Sequence, residues 1–462
     1  MTKTLLRQIV TLFLVAMGMT ACVFDHYEDA EDVVAKHEGE EKVVMLFQVN
    51  TMASSSTDEN GVSEKIKSLR IFVLNEDSIE CNRLIQIDSN VDAVDFSYDF
   101  QWWTKPGVKQ LIVIANEESV SELSYIPVVT DEPDLEEKAE VLPTPLPTNL
   151  TELLNLYSNA SEYPNHWNAK ELKAVMNAIA FEPEYKVNDK KEIFLPYAVS
   201  YADIEVQKAE KKPMPIYLVP VATKFIFKFS NSRSYPVNIN GISLAYTNAS
   251  SYLLGQVGKD DYTKQYDGKD LYWVDWLAEV SKKSWGSQGF SENESFNESV
   301  GWIVDYSVPR PEESILTTFV GEELNNTFTI PEGTKITGET EEDETIEPGT
   351  YSTSIFYIPE SINKTRPDDG DESDDTDDGQ RFYLTLKMED TAPNATAPIF
   401  ENVVIPNLKA LFRNTYVIIT INMSEGDMEL YAEIASWNKK TAHGHVAEGD
   451  APTNNPFKII GK

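Results

Sequence analysis

Apolar and polar residues alternate with a period of two along much of this chain, and that alternation predicts strands. Val43, Met45, Phe47 and Val49 share one face of a first strand, and Leu69, Ile71 and Val73 repeat the pattern. Leu111 to Ile114 form an unbroken apolar run suited to a strand buried on both faces. Between the first two strands, Thr51 to Glu64 is polar and serine-rich, an exposed loop of the kind proteases cut. From 118 to 215 the pattern is less regular. Helical spacing appears around Leu150 to Tyr157 and from Ala169 to Ala178, where Leu172, Val175 and Met176 share a face. These predict short helices covering the sheets. Pro143 to Pro147 and Lys208 to Pro215 read as connections, and the second segment places a domain boundary near residue 214.

The second half is β almost throughout. Phe225, Phe227 and Phe229 alternate with Lys224, Ile226 and Lys228, as a half-buried strand requires. Phe382, Leu384, Leu386 and Met388 repeat the signal, followed by strands over Tyr416 to Ile421 and Met428 to Trp437. Two acidic inserts, Glu339 to Glu347 and Asp368 to Asp378, are expected to be mobile loops, because like charges repel and little apolar surface offsets the lost chain entropy. The fold class expected is therefore mainly β with a few short helices.

The beginning of the chain has a different pattern. Lys3 and Arg7 precede an apolar run from Ile9 to Met17, and Met19-Thr20-Ala21-Cys22 closes it. The apolar run is too short to span a bilayer, which marks a cleaved export signal over residues 1–21. Small residues just before a cysteine resemble a lipobox, with Met19 where leucine is usual, and make Cys22 the expected lipidation site. A diacyl or triacyl group on Cys22 buries enough methylene to tether the protein to a membrane. Residues 22–40 then form an acidic leash, Asp25 and Glu28 to Asp32 being its charged part. The expected units are the leash, an N-terminal domain over 41–213, a C-terminal domain over 214–437, and a tail over 438–462.

Composition narrows the function. The 462 residues are 41% hydrophobic and 11% aromatic, enough to bury one large core or two ordinary ones. The formal charge of −37 excludes general nucleic-acid binding, which depends on basic surface. Only two cysteines occur, so lipidation of Cys22 leaves Cys81 without an intrachain partner.

Catalytic signals are sparse. Of the five histidines, His26 and His37 lie in the leash, His166 in an irregular segment, and His443 and His445 in the tail. His443 and His445 flank Gly444, but two ligands do not make a metal site. The Asp368 to Asp378 run fails both EF-hand registers: Gly379 at the sixth position puts Thr385 at the twelfth, and Gly370 there puts Thr365 first. No phosphate-binding glycine loop, nucleophile elbow or zinc-hydrolase helix is present, so neither enzyme activity nor a cofactor or metal is expected. Trp102-Trp103 and the cluster of Tyr272, Trp273, Trp276 and Trp285 are candidates for stacking on sugar rings, or for filling a sandwich core. Asn149, Asn248, Asn293 and Asn297 sit in N-glycosylation sequons, which mean little behind a bacterial lipobox.

Four short segments carry a family resemblance. They are Lys109 to Asn116, Leu218 to Asn231, Tyr357-Ile358-Pro359-Glu360, and Arg413-Asn414-Thr415-Tyr416 before a long strand. With the final strand ending at Trp437, they resemble the fimbrillins, subunits of the type V pili of Bacteroidales that are exported as lipoproteins. The resemblance implies two transthyretin-like β-sandwich domains, no enzyme activity, and polymerisation by strand exchange at the cell surface. The acidic leash also resembles the surface-export tag of Bacteroides-group lipoproteins.

The same resemblance implies that a protease removes the lipidated leader together with the first strand, Val43 to Val49, and opens a groove for a neighbouring subunit's strand. Between Cys22 and Leu69 there is no arginine, and Arg70 falls inside the next strand, so either Lys65 and Lys67 are the sites of a lysine-tolerant protease or the subunit is never cut. Phe457, Ile459 and Ile460 in the tail are the candidate donor strand, a frayed terminus being the alternative. The function expected is an accessory, tip or anchor subunit, held in the outer membrane by lipid on Cys22, whose partners are other pilus subunits and host or bacterial surface ligands. The competing expectation is an outer-membrane, surface glycan-binding lipoprotein that keeps Cys22 in its mature form.

Overall fold

The computed structural model describes residues 43–51, 62–92, 96–125, 147–156, 169–183, 193–206, 213–257, 263–266, 269–272, 306–307, 315–336, 345–362, 382–390, 399–404, 410–425, 427–436 and 456–457. The expectations for the export signal, Cys22, the leash, the Asp368 to Asp378 insert and all five histidines lie outside these residues. So do those for Trp273, Trp276, Trp285, Ile459 and Ile460. The fold is mainly β, as the alternation predicts. Among the described residues no helix is long and apolar enough to cross a membrane.

The first half is built on strands β1 (Val43–Thr51), β2 (Lys65–Leu74), β3 (Ile79–Asp92), β4 (Ser97–Thr104) and β5 (Gly107–Ala115). Helices α1 (Leu150–Leu156) and α2 (Ala169–Ala178) follow, then β6 (Tyr197–Val206) and β7 (Met214–Pro220). They join in the order β3-β2-β5-β6-β7-β1-β4. β6 and β7 pair only through Tyr197↔Pro220 and Ala198↔Val219, and side chains from both ends of this order share one core. Met45, Phe47 and Val49 of β1 meet Leu69, Ile71 and Val73 of β2 and Leu111 and Val113 of β5 there. Residues of opposite parity, Phe72, Leu74, Ile112 and Ile114, pack instead with Leu153, Leu154, Leu172 and Met176 of the helices. Helices on the second face thus explain why the Leu111 to Ile114 run is apolar at every position.

The second half contains β8 (Thr223–Asn231), β9 (Val237–Thr247), β10 (Ile315–Gly321), β11 (Gly349–Ser352) and β12 (Phe356–Ile358). After these come β13 (Tyr383–Asp390), β14 (Ile399–Val404), β15 (Thr415–Ser424), β16 (Asp427–Ser436) and β17 (Pro456–Phe457). One sheet runs β11-β8-β15-β16-β17 with β12 also on β8, and another runs β10-β9-β13-β14. Phe225, Phe227 and Phe229 face Ile239, Ile242, Leu244, Leu384 and Leu386 in a common core, which is sandwich packing between two inner faces. Phe319 adds ring contacts to Phe225 at 5.5 Å and to Phe227 at 5.2 Å.

The strands depart from expectation in three places. β7, which begins at the expected boundary near residue 214, is a buried strand of the first sheet, its Met214 to Leu218 pairing with Phe47 to Thr51 of β1. The Lys208 to Pro215 stretch looks like a linker because its polar residues hide the apolar run behind it. The end of the first acidic insert, Thr345–Glu347, is a strand paired with Thr334–Ile336, so the charge run does not reach to Glu347 as a loop. Finally, β2 starts at Lys65, four residues before the alternation becomes visible, because the register shifts between Ile66 and Ser68, so that Ile66 joins the core of Leu69, Ile71 and Val73 while Ser68 bonds Glu118.

Candidate functional site

The first strand lies inside its sheet. β1 runs parallel to β7, with Phe47 opposite Met214 and Val49 opposite Ile216. It runs antiparallel to β4, from Val43↔Thr104 to Asn50↔Ser97. Phe47 and Val49 are fully buried and Met45 nearly so, while Leu46, Gln48 and Asn50 on the other face are only partly covered. The Phe47 ring sits 4.8 Å from that of Phe100 on β4. Burying each such side chain is worth about 1.5–3 kcal/mol, so β1 is held by its side chains as well as its ladder. Without β1, β4 and β7 would face one another with unpaired backbone groups across a slot lined by Phe100, Ile216 and Leu218.

Lys65 and Lys67 do not lie in a loop. Both belong to β2, whose Lys65–Leu74 ladder pairs with β3. The Lys67 amide donates to Asn116 Oδ1 at 2.8 Å, its ammonium lies 4.0 Å from the centre of the Phe194 ring, and the Lys65 carbonyl accepts from Asn116 Nδ2 at 2.8 Å. A protease needs extended, accessible backbone, so the objection to cutting at Arg70 applies to both lysines.

The segments that carry the family resemblance combine strands with buried turns and ion pairs. Asn116 takes the left-handed conformation with φ 57°, which asparagine tolerates, and donates to the carbonyls of Lys65 and Leu195. Beside it, Glu117 binds Arg70 through both carboxylate oxygens at 2.5 and 2.7 Å, and Arg70 also reaches Asn82 and Asn155. Asn414 is likewise left-handed, φ 61°, and its amide donates to the Ala222 carbonyl at 3.1 Å. Next to it Arg413 pairs with Glu360 at 2.5 Å, both side chains at 0% exposure, and donates to the carbonyls of Tyr252 and Leu253. Leu253 packs with the helices of the first half, so the Arg413 corner bears on the junction. Asn248 is also buried here, its Nδ2 on the Glu360 carbonyl at 2.7 Å, which removes it as a sequon. Asn149 caps α1 by accepting from the Glu152 amide at 2.8 Å.

Two further ion pairs carry no mark in the sequence. Glu64 Oε1 accepts from Lys224 Nζ at 2.5 Å and from Tyr357 Oη at 2.8 Å. Burial first, and then the charge of Glu64, raise the Tyr197 hydroxyl well above its ordinary value. Glu80 meets Lys109 at 2.6 Å and also accepts from Thr104 and Asn75. Burial works to raise the Glu80 carboxyl, but the bonds from Lys109, Thr104 and Asn75 together outweigh it and leave it lowered. Adjacent Cys81 is a buried free thiol, pushed up to about 12 by desolvation.

The remaining candidates separate. Trp102 stacks with Phe100 at 6.4 Å against the first core, and Trp103 on the opposite face of β4 sits across from Val44. Adjacent residues of a strand point to opposite faces, so the two indoles do not form one platform. Among the described residues no group of three histidine, cysteine, aspartate or glutamate side chains is placed to hold a metal. In the tail, Phe457 pairs antiparallel with Leu430, and Pro456 with Tyr431, extending the β8-β15-β16 sheet within the same chain.

No protein-family model matches this sequence, and no curated protein does. Solved structures do. The tip fimbrial protein Mfa3 from Porphyromonas gingivalis, with its C-terminus truncated, is 12% identical, with 86% of this chain and 100% of that one covered and a TM-score of 0.38. A fimbrial assembly protein from Parabacteroides distasonis is 8% identical over 86% of this chain and 99% of its own, TM-score 0.33. A fimbrilin from Porphyromonas gingivalis is 10% identical over 83% and 90%, TM-score 0.32.

Proposed function

We propose that this chain is a non-enzymatic structural subunit of a type V-like fimbria, exported as a lipoprotein through Cys22 and joined to other subunits by β-strand exchange. The observation that supports this most is the position of β1: the strand nearest the lipobox is an interior strand between β7 and β4. A terminal strand that only extended a sheet would sit at its edge. Loss of β1 opens a slot bounded by one parallel and one antiparallel neighbour, which a second copy's strand fills by a full ladder with alternate side chains inside. In this proposal the leader is cut between Thr51 and Glu64, ahead of β2, and the tail from Phe457 to Ile460 supplies the donor after leaving β16 of its own chain, where Phe457 pairs with Leu430. A subunit that is never cut keeps its lipid and serves as an anchor in the outer membrane.

A specific protease site placed within residues 52–61 tests the mechanism. Cleavage of the folded chain should release the β1 fragment and yield detergent-resistant oligomers. A cleaved protein that stays monomeric, with β1 lost and the slot empty, would overturn strand exchange. N-terminal sequencing of the protein recovered from cells then assigns the role, because a start at Cys22 means anchor and a start beyond Thr51 means a polymerising subunit.

A further inference from the structure

Glu64 occupies an unusual place. It lies between the two-residue strand Val62–Ser63, which pairs with Ile193–Phe194, and the first residue of β2. Its backbone neighbours belong to the first half, where the Leu195 amide donates to the Ser63 carbonyl at 2.9 Å and the Tyr197 hydroxyl to the Glu64 carbonyl at 3.3 Å. Its carboxylate belongs to the second half. Lys224, the second residue of β8, and Tyr357 on β12 both donate to it, and the Lys224 ammonium lies 5.5 Å from the Tyr416 ring centre and 5.9 Å from that of Tyr357. Lys224 is 1% exposed and Glu64 6%.

A buried ammonium is tolerable only while counter-charge is near it, so whatever removes Glu64 takes from Lys224 the carboxylate that lies 2.5 Å away. We infer that the Glu64–Lys224 pair is a lock that couples the chain just ahead of β2 to the second half, so that the two halves open together. The lock has a directional consequence. A chain shortened to any point ahead of Val62 keeps it, whereas a break after Lys65 or Lys67 separates Glu64 from the rest of β2 and frees it to leave. This inference stands whether or not β1 is exchanged, because it concerns the residues that stay behind.

The test uses the full chain in limited trypsin digestion, with mass spectrometry reading cleavage after Lys65 and Lys67. Glu64→Gln and Lys224→Met should each speed those cuts by about tenfold or more, and the double variant should be no faster than the worse single, since both changes break the same pair. Single variants cut at the unaltered rate, or effects that multiply in the double variant, would overturn the lock. Hydrogen exchange on the unaltered protein gives a measure that needs no variant to fold: amides of 63–67 and of 223–226 should open with the same free energy. Exchange at 63–67 faster than at 223–226 by about a hundredfold would also overturn it.

Discussion

Arg413 and Glu360 are joined twice, by the Arg413 amide to Oε1 at 2.9 Å and by its guanidinium to Oε2 at 2.5 Å, with neither side chain reaching solvent. The guanidinium also closes the carbonyls of Tyr252 and Leu253. Such a pair gains little over an apolar replacement but is expensive to break from one side, so Glu360→Gln and Arg413→Met should each destabilise by about 3–5 kcal/mol. Urea unfolding of the single and double variants measures this, and the double variant should lose less than the sum. Strict additivity would mean that the two side chains act independently.

On β1, the two faces should respond differently. Phe47 is fully buried against Phe100, so Phe47→Ala should cost about 3–5 kcal/mol through lost burial and the cavity left behind. Gln48 is partly exposed and holds Asp99 at 2.9 Å on the surface, so Gln48→Ala should change stability by no more than about 0.5 kcal/mol. Equal losses in equilibrium unfolding would show that β1 does not pack as described.

These two cases mark what the residue pattern reveals. Periodicity is a local signal: a period of two marks β1, β8, β13 and β15, and helical spacing marks α2, because each has one face in a core and one outside it. It fails at β7, where an apolar run follows a polar stretch, and at the start of β2, where a register shift between Ile66 and Ser68 breaks the period. The Asn116 and Asn414 segments were visible as strings, since a left-handed turn beside a strand favours asparagine. Their partners were not. Glu64 and Lys224 are 160 positions apart, Arg413 and Glu360 are 53 apart, and in a chain this acidic no carboxylate announces which cation it will meet.

Cys81 offers a probe of native packing. Its thiol is 3% exposed and burial pushes it up to about 12, so at neutral pH it should not react with an aromatic disulfide reagent until the protein unfolds. The rate of labelling in increasing urea should follow the unfolding transition. The sign of the pH effect also follows: a raised thiol value contributes stability that is intact below the ordinary value of 9.0 and is lost as pH rises towards 12. Cys81→Ala should flatten that alkaline loss, and an unchanged alkaline slope would place it on other groups.

Glu80 governs the acid side. Burial opposes its ionisation, yet Lys109, Thr104 and Asn75 bind the carboxylate strongly enough to lower it below 4.5. A lowered carboxylate contributes stability that is present above its unfolded value and is lost as pH falls through its folded one, because the unfolded chain binds the proton first. The contribution is therefore full at neutral pH and fades in the window below 4.5. Glu80→Gln should lower the urea midpoint at neutral pH by stranding Lys109, which is 2% exposed in the pair. The same variant should lose less stability than the unaltered protein between about pH 5 and pH 3, since the group that titrates there is gone. Parallel acid slopes in the two proteins would show that Glu80 is not the carboxylate that couples protons to folding.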